Sequence, residues 1–339
     1  MPCRLLYYAT GERIISRCGS SEYGGEKMKP TVVIGTTFVD IKGFSRNSYD
    51  PQGRNLGEVK FVHGGVGRNV VENFANVGTP VSYVGMLEDS AIGLEVESHL
   101  KEIGADLSYA VVAPDHGIGI WLAILDEKGD LAGSISKIPD FSYLEAHLKA
   151  RGEEIVRQAE AIALEIDLNE QVAEMTVNLA KQYGKDVYAI VGNLSVVLAR
   201  KDLIRQTKCF ICNEIEASKY FGKELLGLTA AEVRDWLPDA AEKEGLRSVI
   251  VTMGEQGAVY YEKGAESAGI CPPCPTKVVD TTGAGDAFFS GTVMGLVRGA
   301  TLAEASGYGA RLASATIARE ENSCPVNKDF FCCQFMETK

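Results

Sequence analysis

Val278-Val279-Asp280-Thr281-Thr282-Gly283-Ala284-Gly285-Asp286-Ala287-Phe288 joins an extended run to an apolar helix spanning Ala287–Arg298. Small residues at 283–285 let backbone N–H groups come close to an anion, and the positive end of the helix dipole adds to the attraction. Asp286 then places a carboxylate where charge develops. It can take the proton from an attacking hydroxyl while the N–H groups hold phosphoryl oxygens. Taken alone, the stretch can also be read as a glycine-rich turn with an ordinary acid in the first turn of a helix.

The same strand–turn–helix rhythm runs through most of the chain. Strand-like runs lie at Val32–Gly35, Val81–Gly85, Ala161–Ile166, Val187–Val191, Cys209–Cys212 and Ser248–Met253. Helical patterns fall between them at Ala91–Ile103, Gln171–Tyr183 and Ala230–Glu244, the last opened by the capping-box sequence Thr229-Ala-Ala-Glu232. Such alternation predicts an α/β fold, a doubly wound and mostly parallel sheet with helices on both faces. Two stretches break the rhythm. Residues 42–62 are polar and turn-rich, and residues 117–137 read as a hairpin around Asp126-Glu-Lys-Gly129. They predict a small β lid. Residues 1–28 lack periodicity and read as a flexible N-terminal extension, with Met28 a candidate start just before the first strand. The expected organisation is this extension, one domain over 29–330 and a C-terminal tail over 331–339.

Composition bounds the function. The 339 residues are 45% hydrophobic and carry a formal net charge of -12. An acidic surface repels a phosphate backbone, so nucleic acid is not the expected partner. No apolar run approaches the ~20 residues that span a bilayer. Together with nine cysteines, an odd number, this predicts a cytoplasmic protein with free thiols. The pairs Cys209/Cys212 and Cys271/Cys274 have zinc-like C-x-x-C spacing. The first pair reads as a buried strand, where positions i and i+3 face opposite sides, which predicts core thiols instead.

A second glycine-rich stretch, His63-Gly64-Gly65-Val66-Gly67-Arg68-Asn69, leads into a helical run at Val70–Val77. It is not a dinucleotide fingerprint, because position 70 is Val where the third glycine belongs. Its glycines permit close backbone approach to a ligand, and Asn69 offers both donor and acceptor to sugar hydroxyls.

The two glycine stretches together resemble the signatures of the ribokinase-like, or phosphofructokinase-B, carbohydrate kinases. Asn213-Glu-Ile-Glu216 is similar to that family's N-x-x-E motif, and Thr252-Met-Gly-Glu-Gln-Gly257 to its T-x-G-x-x-G turn. Asp40, placed at the end of the first strand, is similar to its substrate aspartate. The resemblance runs from about Thr31 to about Pro325. It implies a kinase that moves the γ-phosphoryl of ATP onto a hydroxyl of a sugar or nucleoside. Asp286 would be the catalytic base, with Gly283, Ala284 and Gly285 as the anion hole. Asn213 and Glu216 would act on Mg2+ through water and phosphates, with no direct protein metal site. Thr252, Gly254 and Gly257 would meet the nucleotide. Asp40, Gly64, Gly65 and Asn69 would hold the acceptor, with Glu165 as a further carboxylate. The resemblance also implies a K+ site near Asp280 and residues 318–323, and a homodimer through the lid.

Two departures bear on the acceptor. Phe38 stands where ribokinases carry Asn, and Arg68 where they carry a small residue. The run Gly64-Gly-Val-Gly-Arg-Asn69 followed by Val-Val-Glu-Asn73 is most similar to the pseudouridine kinases of this family. A flat ring suits Phe38, and Arg68 offers planar donors either to base carbonyls or to a carboxylate that fixes the loop. Pseudouridine is therefore the first acceptor to expect, phosphorylated on its 5′-hydroxyl. A simple ribose or fructose kinase is the alternative, and a non-catalytic sugar-binding protein on the same scaffold a more distant one.

Overall fold

Thr31-Val-Val-Ile34 is fully buried on both sides, as a strand in the middle of a parallel sheet must be. The computed structural model to which it belongs describes residues 22–23, 26–192, 194–265 and 268–331. In chain order the first elements are β1 (Glu22–Tyr23), β2 (Glu26–Lys27), β3 (Thr31–Ile34), β4 (Phe38–Ser45), β5 (Gly57–Gly64) and α1 (Val66–Asn76). Next come β6 (Val81–Val84), β7 (Met86–Glu88), α2 (Ala91–Glu102), β8 (Val111–Ala113), β9 (Gly119–Leu125), β10 (Leu131–Lys137) and α3 (Ser142–Gln158). Then follow β11 (Ile162–Glu165), α4 (Glu170–Gln182), β12 (Val187–Ile190), α5 (Ser195–Ala199), α6 (Lys201–Ile204), β13 (Cys209–Asn213), α7 (Glu214–Phe221) and α8 (Ala230–Glu244). The chain closes with β14 (Ser248–Thr252), β15 (Ala258–Glu262), β16 (Gly269–Cys271), α9 (Ala284–Val297) and α10 (Leu302–Ile317).

The central sheet has eight strands in the order β16-β15-β14-β13-β12-β11-β3-β6. β6 through β14 pair in parallel, while β15 and β16 add an antiparallel edge. Alternate strand residues feed two separate cores. Val32, Ile34, Phe210 and Val249 pack with α3, α4, α7 and α8 on one face. Val33, Ile211 and Ile250 pack with α1, α2, α9 and α10 on the other. This is the doubly wound arrangement that the alternation predicts. Cys209 and Cys212 fall in opposite cores, so they cannot share a metal.

A second sheet of four strands, ordered β10-β9-β4-β5, stands beyond the first. It is the expected lid, but it is larger than residues 42–62 and 117–137 suggest. The chain leaves β3 at Ile34 and enters the lid at Phe38. Asp40 is therefore the third residue of a lid strand and does not end the first central strand. The strand period of two sorts the lid's side chains. Asp40 is in register with Trp121 and Val62 on one face. Ile41, Leu122, Ile135 and Phe61 form a row across all four strands on the other. Phe61 is 62% and Ile135 70% exposed there.

The extension expected over residues 1–28 lies outside the described residues except for Met28 and the β1–β2 pair, and of the 331–339 tail only Phe331 is described. No helix among the described residues is long and apolar enough to cross a membrane.

Candidate active site

The carboxyl ends of the parallel strands define one edge of the central sheet. Glu165 ends β11, Asn213 ends β13 and Thr252 ends β14. Ligands of open α/β sheets bind along that edge. The lid strand β4 rises from the same edge, and a cavity of about 340 Å³ lies between lid and sheet. Phe38, Asp40, Gly64, Gly65, Asn69, Glu165, Gly283 and Asp286 all line it. Its size is within the roughly 300–1,000 Å³ of small-molecule sites.

Two helices aim their N-termini into the cavity, and both start at a left-handed glycine. α1 has Gly65 as N-cap with φ 95°. α9 has Gly283 with φ 78°. A side chain would be strained at either conformation. A Cβ would also overlap the Thr36 carbonyl at Gly65 and the Asn322 carbonyl at Gly283. Neither helix has a side-chain cap. The N–H groups of Gly283 and Gly285 at the start of α9 are thus available to an external anion, while that of Ala284 donates to the Thr281 carbonyl at 3.2 Å. Both helices begin earlier than the sequence reading expects, at Val66 and Ala284 rather than Val70 and Ala287, because glycine and not a polar cap starts them.

Asp286 lies in the first turn of α9, half-buried at the cavity floor. Asn69 Nδ2 donates to its Oδ2 at 2.6 Å. Burial pushes the Asp286 carboxyl up to about 7. Glu165 and Glu216 push the same way, and Asn69 and Arg68 pull against them. A carboxyl poised near neutrality can act as a proton acceptor. Asp167, in the turn after β11, is also raised to about 7, chiefly by burial and with contributions from Glu165 and Glu216. The sequence reading misses Asp167, although a carboxylate just past a parallel strand is itself a signal. It also misses Thr36, Ile138, Phe141, Leu168 and Asn322 in the cavity wall.

The other expected residues divide. Asp40 is raised above its usual range by burial, against the charges of Lys42 and Arg68. Phe38 has room because residue 119 is Gly, where a Cβ would overlap its ring. Glu165 lines the cavity but spends its carboxylate on Thr36, accepting from the backbone N–H at 2.7 Å and from the hydroxyl at 2.9 Å. Arg68 does not reach the cavity. It is 3% exposed, paired to Glu72 and bonded to the Asn69 side-chain oxygen and, at 2.9 Å, to the His63 carbonyl. Of its two roles, pairing with a carboxylate is the one the geometry satisfies, and contact with a nucleobase is not.

Asn213, Glu216, Thr252, Gly254 and Gly257 lie outside this cavity, further along the same edge. Asn213 and Thr252 are paired neighbours on β13 and β14. Asn213-x-x-Glu216 is a complete capping box, with Glu216 N donating to Asn213 Oδ1 at 2.9 Å and Asn213 N to Glu216 Oε2 at 2.8 Å. Near the expected K+ site, Asp280 Oδ1 accepts from the Thr282 backbone and hydroxyl, both at 2.8 Å. No group of three or more His, Cys, Asp or Glu is arranged to hold a metal among the described residues. The negative charges of Glu165 and Glu216 each raise both Asp167 and Asp286.

Comparison with known proteins agrees with this geometry. The family model described as pfkB family carbohydrate kinase matches residues 28–328. A guanosine-inosine kinase of Exiguobacterium acetylicum is 35% identical over 87% of this chain and 96% of its own length. A pseudouridine kinase of Escherichia coli strain K12 is 25% identical over 87% of this chain and 92% of its own. The structure of Arabidopsis thaliana ribokinase complexed with ribose and ATP shares the fold, with a TM-score of 0.76 at 21% identity, over 91% of this chain and 99% of that one. This chain belongs to the pfkB family of carbohydrate kinases and is a kinase of sugars or nucleosides.

Proposed function

We propose that the chain is an ATP-dependent ribonucleoside kinase that phosphorylates the 5′-hydroxyl, with inosine and guanosine the first acceptors to try and pseudouridine next. One observation carries the reading. The cavity that places Asp40 and Asn69 near Asp286 is walled elsewhere by Phe38, Ile138, Phe141 and Leu168. A free pentose has no flat apolar part to use that wall, whereas a nucleobase does. The relative that acts on guanosine and inosine, at 35% identity, turns the order of acceptors from pseudouridine toward purine nucleosides.

In this reading Asp40 grips the ribose hydroxyls, since vicinal hydroxyls bind well to a charged acceptor. Asp286 takes the proton of the attacking hydroxyl. The N–H groups of Gly283 and Gly285 receive the phosphoryl oxygens as charge develops. Thr252, Gly254 and Gly257 carry the nucleotide, and the Arabidopsis ribokinase of the same fold holds ATP. Magnesium would neutralise the phosphates, with Glu216, Asp167 and Asn213 as its outer partners through water. A K+ ion near Asp280 belongs to the same proposal. The outward apolar row of the lid suits a second copy of the chain.

The test compares kcat/KM for inosine, guanosine, pseudouridine, uridine, ribose and fructose by ADP release, because specificity is a ratio of these values. A preference for a free sugar refutes the nucleoside reading and leaves the kinase assignment intact.

A further inference from the structure

We propose that Arg68 is a positioning residue: it fixes the Asn69 amide so that its NH2 group, and not its oxygen, faces Asp286. The inference deepens the proposed function and depends on Asp286 being the base.

A side-chain amide has two ends of nearly equal shape, and its hydrogen bonds decide which way it points. Asn69 is 5% exposed. One end meets Asp286 Oδ2 and the other meets Arg68 Nη2. A guanidinium has donors only, so the end beside Arg68 must be the amide oxygen. The NH2 is then committed to Asp286. The guanidinium itself cannot drift, because Glu72 holds Nη1 and the His63 carbonyl holds Nη2. Glu72 is in turn held by His99 Nε2 at 3.1 Å. A buried arginine one contact away from the reacting carboxylate thus keeps a donor aimed at it.

Removing Arg68 frees the amide to turn. The reversed amide sets oxygen against oxygen unless Asp286 carries a proton, so it favours the protonated acid and withholds the base. The groups facing Asp286 are Glu165 from β11, Glu216 from α7, and Asn69 and Arg68 from α1. Those facing Arg68 are Glu72 on its own helix, Asp40 on β4, His63 on β5, Tyr83 on β6 and His99 on α2. Loss of the arginine removes one influence that keeps Asp286 ionised and leaves both acidic ones, so the acid limb of the pH profile must move upward.

The experiment uses the full chain in two forms. Arg68→Met combined with Glu72→Gln removes the guanidinium without leaving a buried charge unpaired. Glu72→Gln alone disturbs the same ion pair but leaves Arg68 against Asn69. Both are checked for folding by circular dichroism and then assayed for kcat/KM between pH 5.5 and 9. The double variant is expected to shift the acid limb by about one pH unit, a tenfold loss at low pH that is recovered at high pH, with the KM for ATP unchanged. Glu72→Gln alone is expected to leave the limb in place. An unmoved limb in the double variant, or an equal shift in both, overturns the proposal. Asp286→Asn separates the two levels of the argument. If it turns over near the wild-type rate, the base assignment itself falls. If it is inactive while the double variant's limb stays put, only the role of Arg68 falls.

Discussion

Asp286→Asn should destroy activity and stabilise the protein, and both effects follow from one carboxyl. Burial raises the group from 3.8 to about 7. The folded state therefore holds this proton more tightly than the unfolded chain does. As pH rises from 3.8 through 7 the fold loses stability to the ionisation, and above 7 the loss is complete. At 1.36 kcal/mol per unit the cost is at most about 4 kcal/mol. Asparagine keeps the size, still accepts from Asn69 Nδ2, and has no charge to desolvate. The variant should be more stable than wild type at pH 8 and equal to it near pH 3.5. Turnover should fall by ~10²–10⁴, the usual contribution of a general base. In the wild type, kcat/KM should decline below pH 7, by about thirtyfold at pH 5.5 relative to its plateau. Urea unfolding at the two pH values and an ADP-release profile measure all three. Turnover within a few-fold of wild type, or no gain in stability at pH 8, would refute the reasoning.

Other perturbations test other parts. Burial opposes ionisation of Glu72, but His99 and Arg68 outweigh it and hold its carboxyl at about 2. Its stabilisation is therefore fully present above pH 4.5 and lost as pH falls toward 2. Glu72→Gln should cost on the order of 3 kcal/mol at pH 7 and nothing near pH 2, read by denaturant midpoints. Glu216→Gln should raise the magnesium requirement without loss of thermal stability, since glutamine also completes a capping box; an unchanged magnesium titration counts against the role. Phe61→Glu on the lid's outer face should shift any dimer toward monomer in sedimentation velocity, and an unchanged sedimentation coefficient would place the dimer contact elsewhere.

The central sheet is legible in the sequence because each of its parallel strands is a short apolar run and helical patterns recur between them. The capping box at Thr229 is legible too, and it forms as written. The lid is only half legible. Gly35-Thr-Thr37 carries no strong turn signal, so the passage from β3 into β4 reads as one strand and Asp40 is assigned to the wrong sheet. β15 and β16 are missed because they are an antiparallel edge, outside the strand–helix rhythm. Within the site, Asp286, Asn69 and the glycines follow from their motifs. Arg68 shows what a motif cannot decide: chain order does not tell whether a guanidinium faces a cavity or folds beneath its own helix. The acid four residues on, Glu72, is the local sign that it folds beneath.

The starts of the helices reveal where local stability yields to function. Of the helices with eight or more residues, α2, α4, α7, α8 and α10 each begin at Ser90, Asn169, Asn213, Thr229 or Thr301, whose side chain accepts a backbone N–H. The other three, α1, α3 and α9, begin at Gly65, Phe141 and Gly283 with no side-chain cap from that residue. All three of these residues line the cavity. An N-cap side chain is worth roughly 1 kcal/mol, and a glycine at positive φ adds chain entropy to the cost. Chance does not favour all three omissions falling on one cavity. At α9 the missing cap leaves N–H groups for a ligand to satisfy, whereas at α1 the Glu165 carboxylate takes the Gly67 N–H at 3.3 Å and the Thr36 carbonyl the Arg68 N–H at 2.9 Å. At α3 the Ser142 N–H finds Asp140 Oδ1 at 3.0 Å instead, which frees position 141 for an aromatic ring in the wall. A polar cap at Gly283 would compete for the same N–H groups that a phosphoryl oxygen needs, so a better helix there would make a poorer kinase.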